Sequence, residues 1–228
     1  MRWKGGLGWL PVSPGQSKEA DFWIELSRGG KLAGVVYDVG AFEGVMSLFY
    51  SKTAKAVVSF EPVAANRRRL VKNLELNLLK PRIMPCALGE GTETLTISSN
   101  PLFGGCSSLV HSGESSEGGE AVSVVTMDGL VASGQIPPPD FIKIDVEGFE
   151  QPVLRGAMET LQTHRPQVFV ELHGDTRAEK RRNATGVLEL LEQAGFARVL
   201  HVESNRYVRS NEGDDVPCEG HFYADWQA

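Results

Sequence analysis

Four short segments of the chain are dense in β-branched and aromatic residues. They are Val35–Val39, Ala56–Phe60, Phe141–Val146 and Val168–Leu172. Apolar runs of this length, bounded by turn residues, are typical of strands that are buried on both faces of a sheet. These segments therefore predict the inner strands of a parallel sheet.

Helical periodicity appears between and after these strands. The stretch 64–78 places Leu70, Leu74 and Leu78 at every fourth position, which forms one apolar stripe along a helix. Further helices are predicted at 17–28, 45–50, 150–161 and 179–194, and a closing hairpin of strands at 196–202 and 220–224. The alternation of strands and helices predicts an α/β fold with helices on both faces of the sheet.

One long stretch, Ser98–Ala121, interrupts this alternation because it is rich in glycine and serine. Structureless loops of such length within a domain are usually active-site covers or locally disordered segments. The sequence leaves both interpretations open. The residues on either side, 95–97 and 121–125, are expected to pair as antiparallel strands.

The composition is that of a globular protein. The chain has 228 residues, of which 41% are hydrophobic and 23% charged, and it lacks the apolar run of roughly 18 residues that a membrane helix needs. These values exclude a disordered, collagenous or membrane-spanning protein. We expect a tail and leading helix at 1–33, a single domain at 34–228 with a loop at 98–121, and a cytoplasmic location without a membrane partner.

Charge and cysteine content narrow the partners further. The formal net charge of -6 argues against nucleic acid as a partner, because domains that bind phosphate backbones usually carry a basic face. A small molecule is therefore the expected substrate. The three cysteines, Cys86, Cys106 and Cys218, are widely spaced and are interpreted as reduced thiols.

Each of the four predicted strands ends at or beside an acidic residue. These residues are Asp38, Glu61, Asp145 and Glu171. In an open parallel sheet the carboxyl ends of the strands line one edge, where ligands bind. Carboxylates that are placed together repel each other, so a common structural role for all four is not expected, although any one could cap a following helix.

The turn after the first strand carries Gly40 and Gly44, which permit positive φ and close approach of a ligand to the backbone. Its G-x-x-x-G spacing differs from the G-x-G-x-x-G turn that cradles a pyrophosphate, and Asp38 and Glu43 would repel phosphate. Glu61 follows Gly40 by 21 residues, a spacing that suits hydrogen bonds to ribose hydroxyls. These features favour S-adenosyl-L-methionine, which is positively charged and has no phosphate.

A series of short motifs runs through residues 34–174. They are Asp38-Val-Gly-Ala-x-x-Gly44, Phe60-Glu-Pro62, Ala87-Leu-Gly89, Thr126-Met-Asp-Gly-Leu130, Pro139-Asp-Phe-Ile-Lys-Ile-Asp-Val-Glu-Gly-Phe-Glu150 and Glu171-Leu-His173. Together they resemble the FkbM-type methyltransferases, and Ile-Lys-Ile-Asp-Val-Glu-Gly is the most specific part. The chain departs from the family pattern in the glycine turn, where Phe42-Glu43 replaces the usual Asn-Ile.

The resemblance implies the class I methyltransferase fold, a Rossmann-like sheet of seven strands whose last strand is antiparallel. It implies S-adenosyl-L-methionine as cofactor and O-methylation of a hydroxyl on a sugar, polyketide or other small metabolite. The positions expected to contact the cofactor are Asp38, Gly40, Ala41, Gly44, Glu61, Ala87, Leu88 and Asp145. The glycines would face the methionyl end, Glu61 the ribose, and Ala87 with Leu88 the adenine.

Methyl transfer to an alcohol requires that the acceptor oxygen be positioned and that its proton be removed. His173 is the expected general base because the usual pKa of histidine, about 6.5, lies near neutrality. Glu171 or Asp145 would orient it. Lys143 shares a strand face with Asp145 and is expected to take part or to pair with a carboxylate. The predicted catalytic residues are thus Asp145, His173, Lys143 and Glu171.

A divalent metal is an alternative use of Asp145, Glu171 and His173, since Mg²⁺ could bind a diol acceptor through them. Because Mg²⁺ prefers oxygen ligands, the histidine counts against this alternative, and no metal is predicted. The other histidines are interpreted as structural; they are His111, His164, His201 and His221.

Two other functions remain open at the level of the sequence. A nicotinamide-dependent oxidoreductase would share the first strand-helix-strand unit and Glu61, but the chain lacks both a phosphate-cradling turn and a Tyr-x-x-x-Lys pair. A non-catalytic module that binds S-adenosyl-L-methionine would keep the same cofactor residues.

Overall fold

A sheet of eight strands forms the centre of the computed structural model, which describes residues 17–99, 107–110 and 119–226. The strands of this sheet and of a smaller one are β1 (Val35–Val39), β2 (Ala56–Phe60), β3 (Arg82–Met84), β4 (Ala87–Leu88), β5 (Glu93–Ser99), β6 (Ser107–Val110), β7 (Glu120–Val125), β8 (Phe141–Ile144), β9 (Gln167–Glu171), β10 (Val199–His201), β11 (Arg206–Val208) and β12 (His221–Ala224). The helices are α1 (Lys18–Arg28), α2 (Val45–Tyr50), α3 (Ala64–Leu76), α4 (Met127–Ala132), α5 (Glu150–Arg155), α6 (Met158–His164) and α7 (Arg177–Ala194), with a 3-10 helix at Ser210–Asp215.

The larger sheet has the strand order β11-β10-β12-β9-β8-β1-β2-β3. The five strands from β9 to β3 are parallel, and β12 runs antiparallel to both of its neighbours. The predicted α/β fold with an antiparallel last strand is therefore confirmed. The sheet has one strand more than expected, because the chain turns back after β10 and adds β11 at the edge.

The smaller sheet has the order β4-β7-β5-β6. Its centre is the antiparallel pair of β5 and β7, with Leu95 opposite Val122, and this confirms the predicted pairing of 95–97 with 121–125. Part of the predicted loop at 98–121 is strand β6, which pairs with β5. The rest of that loop, 100–106 and 111–118, lies outside the described residues, so its role as a cover or a disordered segment stays a prediction.

Helices pack on both faces of the larger sheet because successive residues of its strands face opposite ways. On one face Trp23 of α1 contacts the rings of Phe141 and Phe169, with the Phe169 centroid 4.3 Å away. On the other face Ile142 and Val168 belong to the main core, together with residues of α5, α6 and α7. None of the described helices combines the length and apolar character needed to cross a membrane.

The helix predicted at 150–161 is two helices, α5 and α6, and this expectation was wrong. The break falls at Gly156, where a Cβ atom would lie 1.8 Å from the backbone oxygen of Gly89. Gly156 therefore allows the chain between α5 and α6 to pack directly against the backbone that follows β4. The helix predicted at 179–194 corresponds to α7, which begins two residues earlier and ends at Ala194, before Gly195 with a φ of 107°.

Candidate active site

The glycine turn after β1 lies against the chain that leaves β8. Gly40 has a φ of 79°, and a Cβ atom there would lie 1.8 Å from the backbone oxygen of Asp145. Gly44 has a φ of 89°, and its Cβ would lie 2.2 Å from Cδ1 of Leu70 in α3. Only glycine can occupy these two positions without displacing a neighbour, so the turn and the end of β8 are held in direct contact.

Glu61, at the end of β2, closes the same turn from the other side. One oxygen of its carboxylate accepts a 2.9 Å hydrogen bond from the backbone N–H of Phe42, and the other accepts bonds from the N–H of Val63 and from Asn66. Glu61 is only 4% exposed. Burial raises its pKa to about 7, although these hydrogen bonds act in the opposite direction.

Glu43 in the turn contributes less negative charge than its sequence position suggests, because its carboxylate pairs with Arg69 of α3. Asp38 is fully buried, and its Oδ2 accepts a 2.5 Å hydrogen bond from Ser47. Burial raises the pKa of Asp38, while the nearby charge of Lys143 lowers it. Oδ1 of Asp38 accepts no hydrogen bond from the described residues.

Lys143 joins two of the predicted carboxylates. Its Nζ lies 2.7 Å from Oδ2 of Asp145 and 3.8 Å from Oδ1 of Asp38. Burial alone would lower the pKa of Lys143, but the two carboxylates outweigh it and raise that pKa. For Asp145, burial alone would raise the pKa, but the charge of Lys143 outweighs burial and lowers that pKa. Lys143 is therefore a charged group paired with carboxylates, and pairing was one of its two predicted roles. A charged ammonium group is unsuited to act as a base.

His173 lies at the centre of a group of carboxylates. Its Nδ1 is 2.8 Å from Oε1 of the fully buried Glu150. Its Nε2 is 3.6 Å from oxygens of Asp145, Glu147 and Glu171. Burial would lower the pKa of His173, but the hydrogen bond to Glu150 and the surrounding charges raise it to about 9.

The structure thus brings together three of the four predicted strand-end carboxylates, linked through Lys143 and His173. The fourth, Glu61, is bonded to the glycine turn instead of to the others. Among the described residues, ligand atoms of Asp145, Glu171 and His173 lie within 4.8 Å of one another, so these three side chains could hold a metal ion.

Three predicted cofactor positions have side chains that pack in the interior. Ala41 packs with residues of α2 and α3, Ala87 with the smaller sheet, and Leu88 in the main core. Any contact of these positions with a ligand would involve their backbone. Their proposed place beside the cofactor stays a prediction.

Two residues at this edge of the sheet were not predicted to belong to the site. Glu150 orients His173, and its only sequence signal was its place at the end of the longest motif. His221 was interpreted as structural, but β12 places it opposite Glu171, with its Nε2 3.7 Å from Oε2 of that residue. Its Nδ1 lies 2.5 Å from Oε1 of Glu203.

Comparison with known proteins gives consistent matches. The family model described as methyltransferase FkbM domain matches residues 38–197. A hexuronic acid methyltransferase, AglP from Haloferax volcanii, is 32% identical over 142 residues, which cover 61% of this chain and 56% of that protein. The crystal structure of a methyltransferase FkbM from Methylobacillus flagellatus aligns with a TM-score of 0.53 at 19% identity, over 85% of this chain and 44% of that one. The chain thus spans about half the length of both relatives.

Proposed function

Because the chain belongs to the methyltransferase FkbM domain family, we propose that it transfers a methyl group from S-adenosyl-L-methionine to a hydroxyl of a small acceptor of the sugar class. The observation that carries the proposal is the contact between Gly40 and Asp145, which joins the glycine turn to the group of carboxylates at the strand ends. A ligand over the turn would lie beside these carboxylates.

The charges at the turn fit the proposed cofactor. Asp38 and Asp145 outnumber the single cation Lys143 next to the glycine backbone. The excess of negative charge favours a sulfonium and an ammonium group and repels a pyrophosphate. When bound, S-adenosyl-L-methionine supplies a methyl group on a positively charged sulfur. The family match favours this interpretation over a nicotinamide-dependent oxidoreductase.

Glu61 is the residue that we assign to the ribose. Its carboxylate already accepts three hydrogen bonds, which leaves room for about one more among its roughly four acceptor positions. The bonds from Phe42 and Val63 fix the carboxylate in one orientation, so a hydroxyl group would meet a preorganised acceptor.

The acceptor would bind at the solvent-facing side of the carboxylates. The side chains of Asp145 and Glu171 are 29% and 38% exposed, so their oxygens can accept hydrogen bonds from acceptor hydroxyls. Positioning of the acceptor oxygen supplies much of the rate in such a displacement. With a pKa of about 9, His173 holds a proton at neutral pH, so we assign acceptance of the hydroxyl proton to the carboxylates instead of to this histidine.

The class of acceptor is supported by two observations. The net charge of -6 disfavours a nucleic acid. The relative from Haloferax volcanii is named for a hexuronic acid, which is a sugar acid. A small hydroxylated sugar is therefore the acceptor that we propose for this chain.

The proposal is tested by titrating the protein with S-adenosylhomocysteine, NADH and NADPH in a calorimeter, in the presence of EDTA. Only S-adenosylhomocysteine should bind, and Glu61→Gln should weaken it by about tenfold or more. Glu75→Gln, an exposed position on α3, is the matched control and should leave the affinity unchanged. If NADH bound and S-adenosylhomocysteine did not, the result would contradict the proposal.

Methyl transfer itself is read by mass spectrometry of a panel of neutral and acidic sugars after incubation with protein and cofactor. A gain of one methylene unit is the expected result. Binding without transfer to any sugar would instead support the non-catalytic binding module.

A further inference from the structure

The spacing of Asp145, Glu171 and His173 is compatible with that of ligands around one metal ion. Nε2 of His173 lies 3.6 Å from Oδ1 of Asp145 and 3.6 Å from Oε1 of Glu171. That separation is too long for a hydrogen bond. It is close to the roughly 3.0–3.4 Å that separates neighbouring ligands of an ion to which each is bound at about 2.1 Å.

The orientation of His173 also matches that of a metal ligand. Its Nδ1–H is held by Oε1 of Glu150, which is fully buried and also accepts a 2.9 Å hydrogen bond from the N–H of Gly148. Asn183 donates to the second oxygen of Glu150 at 2.8 Å. Histidine ligands usually donate their other ring N–H to a carboxylate, which fixes the ring and directs the free nitrogen at the ion. Here Nε2 faces the carboxylates, and a bound cation would take the place of the proton that this nitrogen carries in the metal-free protein.

A second histidine points at the same group from the neighbouring strand. The side chain of His221 is only 10% exposed, and its Nε2 has no hydrogen-bond partner among the described residues. This nitrogen lies 3.7 Å from Oε2 of Glu171 and 3.9 Å from Glu19, while Nδ1 is held by Glu203. Glu171 thus lies between two imidazoles, and each imidazole has its Nδ1 fixed by a different carboxylate.

Asp145 can serve as a ligand without losing its ion pair. Lys143 contacts Oδ2 of Asp145, whereas Oδ1 is the oxygen that faces His173. Among the described residues, His173 lies near both Glu147 and Glu171, and His221 and Lys143 lie near Glu171, so the negative groups around His173 outnumber the positive ones. A cation would therefore reduce repulsion within the group.

We propose that Asp145, Glu171 and His173 bind one divalent cation, with His221 facing the second oxygen of Glu171. Mixed carboxylate and imidazole ligands favour a first-row transition ion such as Mn²⁺ or Zn²⁺ over Mg²⁺ or Ca²⁺, which prefer oxygen. The objection that the histidine raises against Mg²⁺ is weaker for Mn²⁺ and does not apply to Zn²⁺, for which imidazole is a common ligand.

The ligands leave part of the coordination sphere open to solvent, where hydroxyl oxygens of an acceptor would bind. This role rests on the proposed function, whereas binding of the cation does not.

The test is titration of the EDTA-treated, dialysed 228-residue protein with MnCl₂, followed by electron paramagnetic resonance and calorimetry. One equivalent should bind, and Glu171→Gln should weaken it by at least about tenfold. Glu150→Gln, which alters the support of His173 without removing a proposed ligand, should weaken it by about 10- to 100-fold. Glu75→Gln should have no effect. Thermal melts of each variant without metal identify any loss of affinity that comes from misfolding.

Nitrogen coordination is observed first on the unaltered protein, and His173→Gln then assigns the nitrogen. Bound Mn²⁺ should show electron spin echo modulation from a directly coordinated nitrogen of His173, and this signal should be absent in His173→Gln. Failure of Mn²⁺ and Zn²⁺ to bind at millimolar concentration, or Mn²⁺ binding without nitrogen coupling, would overturn the inference. Because S-adenosylhomocysteine is titrated in EDTA, failure of the proposed function is read independently of this result.

Discussion

The ammonium group of Lys143 forms a 2.7 Å ion pair with the carboxylate of Asp145, two residues further along the chain. The same ammonium donates to the backbone oxygen of Gly40 at 3.4 Å. One buried cation therefore holds the end of β8 to the turn after β1, and it offsets the cost of burying the carboxylates on either side. Its removal should affect the fold before it affects any chemistry.

Lys143→Met should lower the free energy of unfolding by about 3–5 kcal/mol, because it leaves the buried carboxylate of Asp38 without its charge partner and removes the 2.7 Å ion pair of Asp145. The double variant Lys143→Met with Asp145→Asn should recover part of this loss, since one unpaired charge is removed. Urea denaturation at pH 7 measures both.

The exposed ion pair of Lys72 with Glu75, at 3.4 Å, provides the control. Lys72→Met should change the free energy of unfolding by no more than about 0.5 kcal/mol, because solvent screens that pair. Equal losses of stability in Lys143→Met and Lys72→Met would show that the buried pair of Lys143 with Asp145 stabilises the fold no more than the exposed pair does.

Glu61 should make the stability of the protein depend on pH near neutrality. Its pKa is raised by burial from 4.5 to about 7, so the folded state favours the protonated form. This contribution to stability is complete below pH 4.5 and is lost as the pH rises through 7. Relative to Glu61→Gln, which stays neutral, the wild-type protein should lose about 3 kcal/mol between pH 4.5 and pH 8.

Urea denaturation of both proteins across this range measures the difference, and the other titrating groups cancel in it. The amide also places an N–H against the N–H of Phe42 or Val63, which costs free energy in the variant. That cost is independent of pH and leaves the slope unaffected. Parallel stability curves would mean that Glu61 ionises near its ordinary pKa.

The larger sheet could be predicted from the sequence because its inner strands are apolar runs bounded by turn residues. The bounds of β1 and β2 agree with the predicted segments 35–39 and 56–60. Strand β11 could not be predicted in this way: it has three residues, and Arg206 and Tyr207 are exposed. The break between α5 and α6 falls at Gly156, which packs against Gly89, more than 60 residues earlier in the chain, and such a contact cannot be predicted from local periodicity.

The candidate site could also be predicted only in part. Asp145, Glu171 and His173 were predicted to be neighbours because the carboxyl ends of parallel strands share one edge. His221 has no motif around it and approaches only through the register of β12 against β9. The raised pKa of His173 depends on Glu150, whose burial follows from packing. Spacing along the chain carries no information about such burial.

Helix α7, which supplies Asn183 beneath Glu150, begins with a reciprocal cap. The hydroxyl of Thr176 accepts a 3.2 Å hydrogen bond from the N–H of Glu179, whose carboxylate accepts one from the N–H of Thr176 at 2.9 Å. Thr176→Ala should lower the free energy of unfolding by about 1 kcal/mol. Thr92→Ala, at an exposed position outside the helices, should change it by less than about 0.5 kcal/mol. A thermal or urea unfolding series that finds the two variants equal would contradict the cap's contribution.

Gly40 allows the contribution of close packing to be separated from that of backbone conformation. Gly30 also has a positive φ, 71°, but a Cβ atom there would meet nothing within 4 Å, whereas at Gly40 it would lie 1.8 Å from the backbone oxygen of Asp145. Gly30→Ala should therefore cost only the conformational term, about 1–2 kcal/mol. Gly40→Ala should cost about 1–3 kcal/mol more, because the strand end must move away from the turn.

Gly91→Ala is the control, because Gly91 lies in open space without a positive φ, and it should stay within about 0.5 kcal/mol of the wild-type value. Urea denaturation of the three variants gives the order, and an equal loss at Gly30 and Gly40 would mean that the turn does not touch Asp145 in solution.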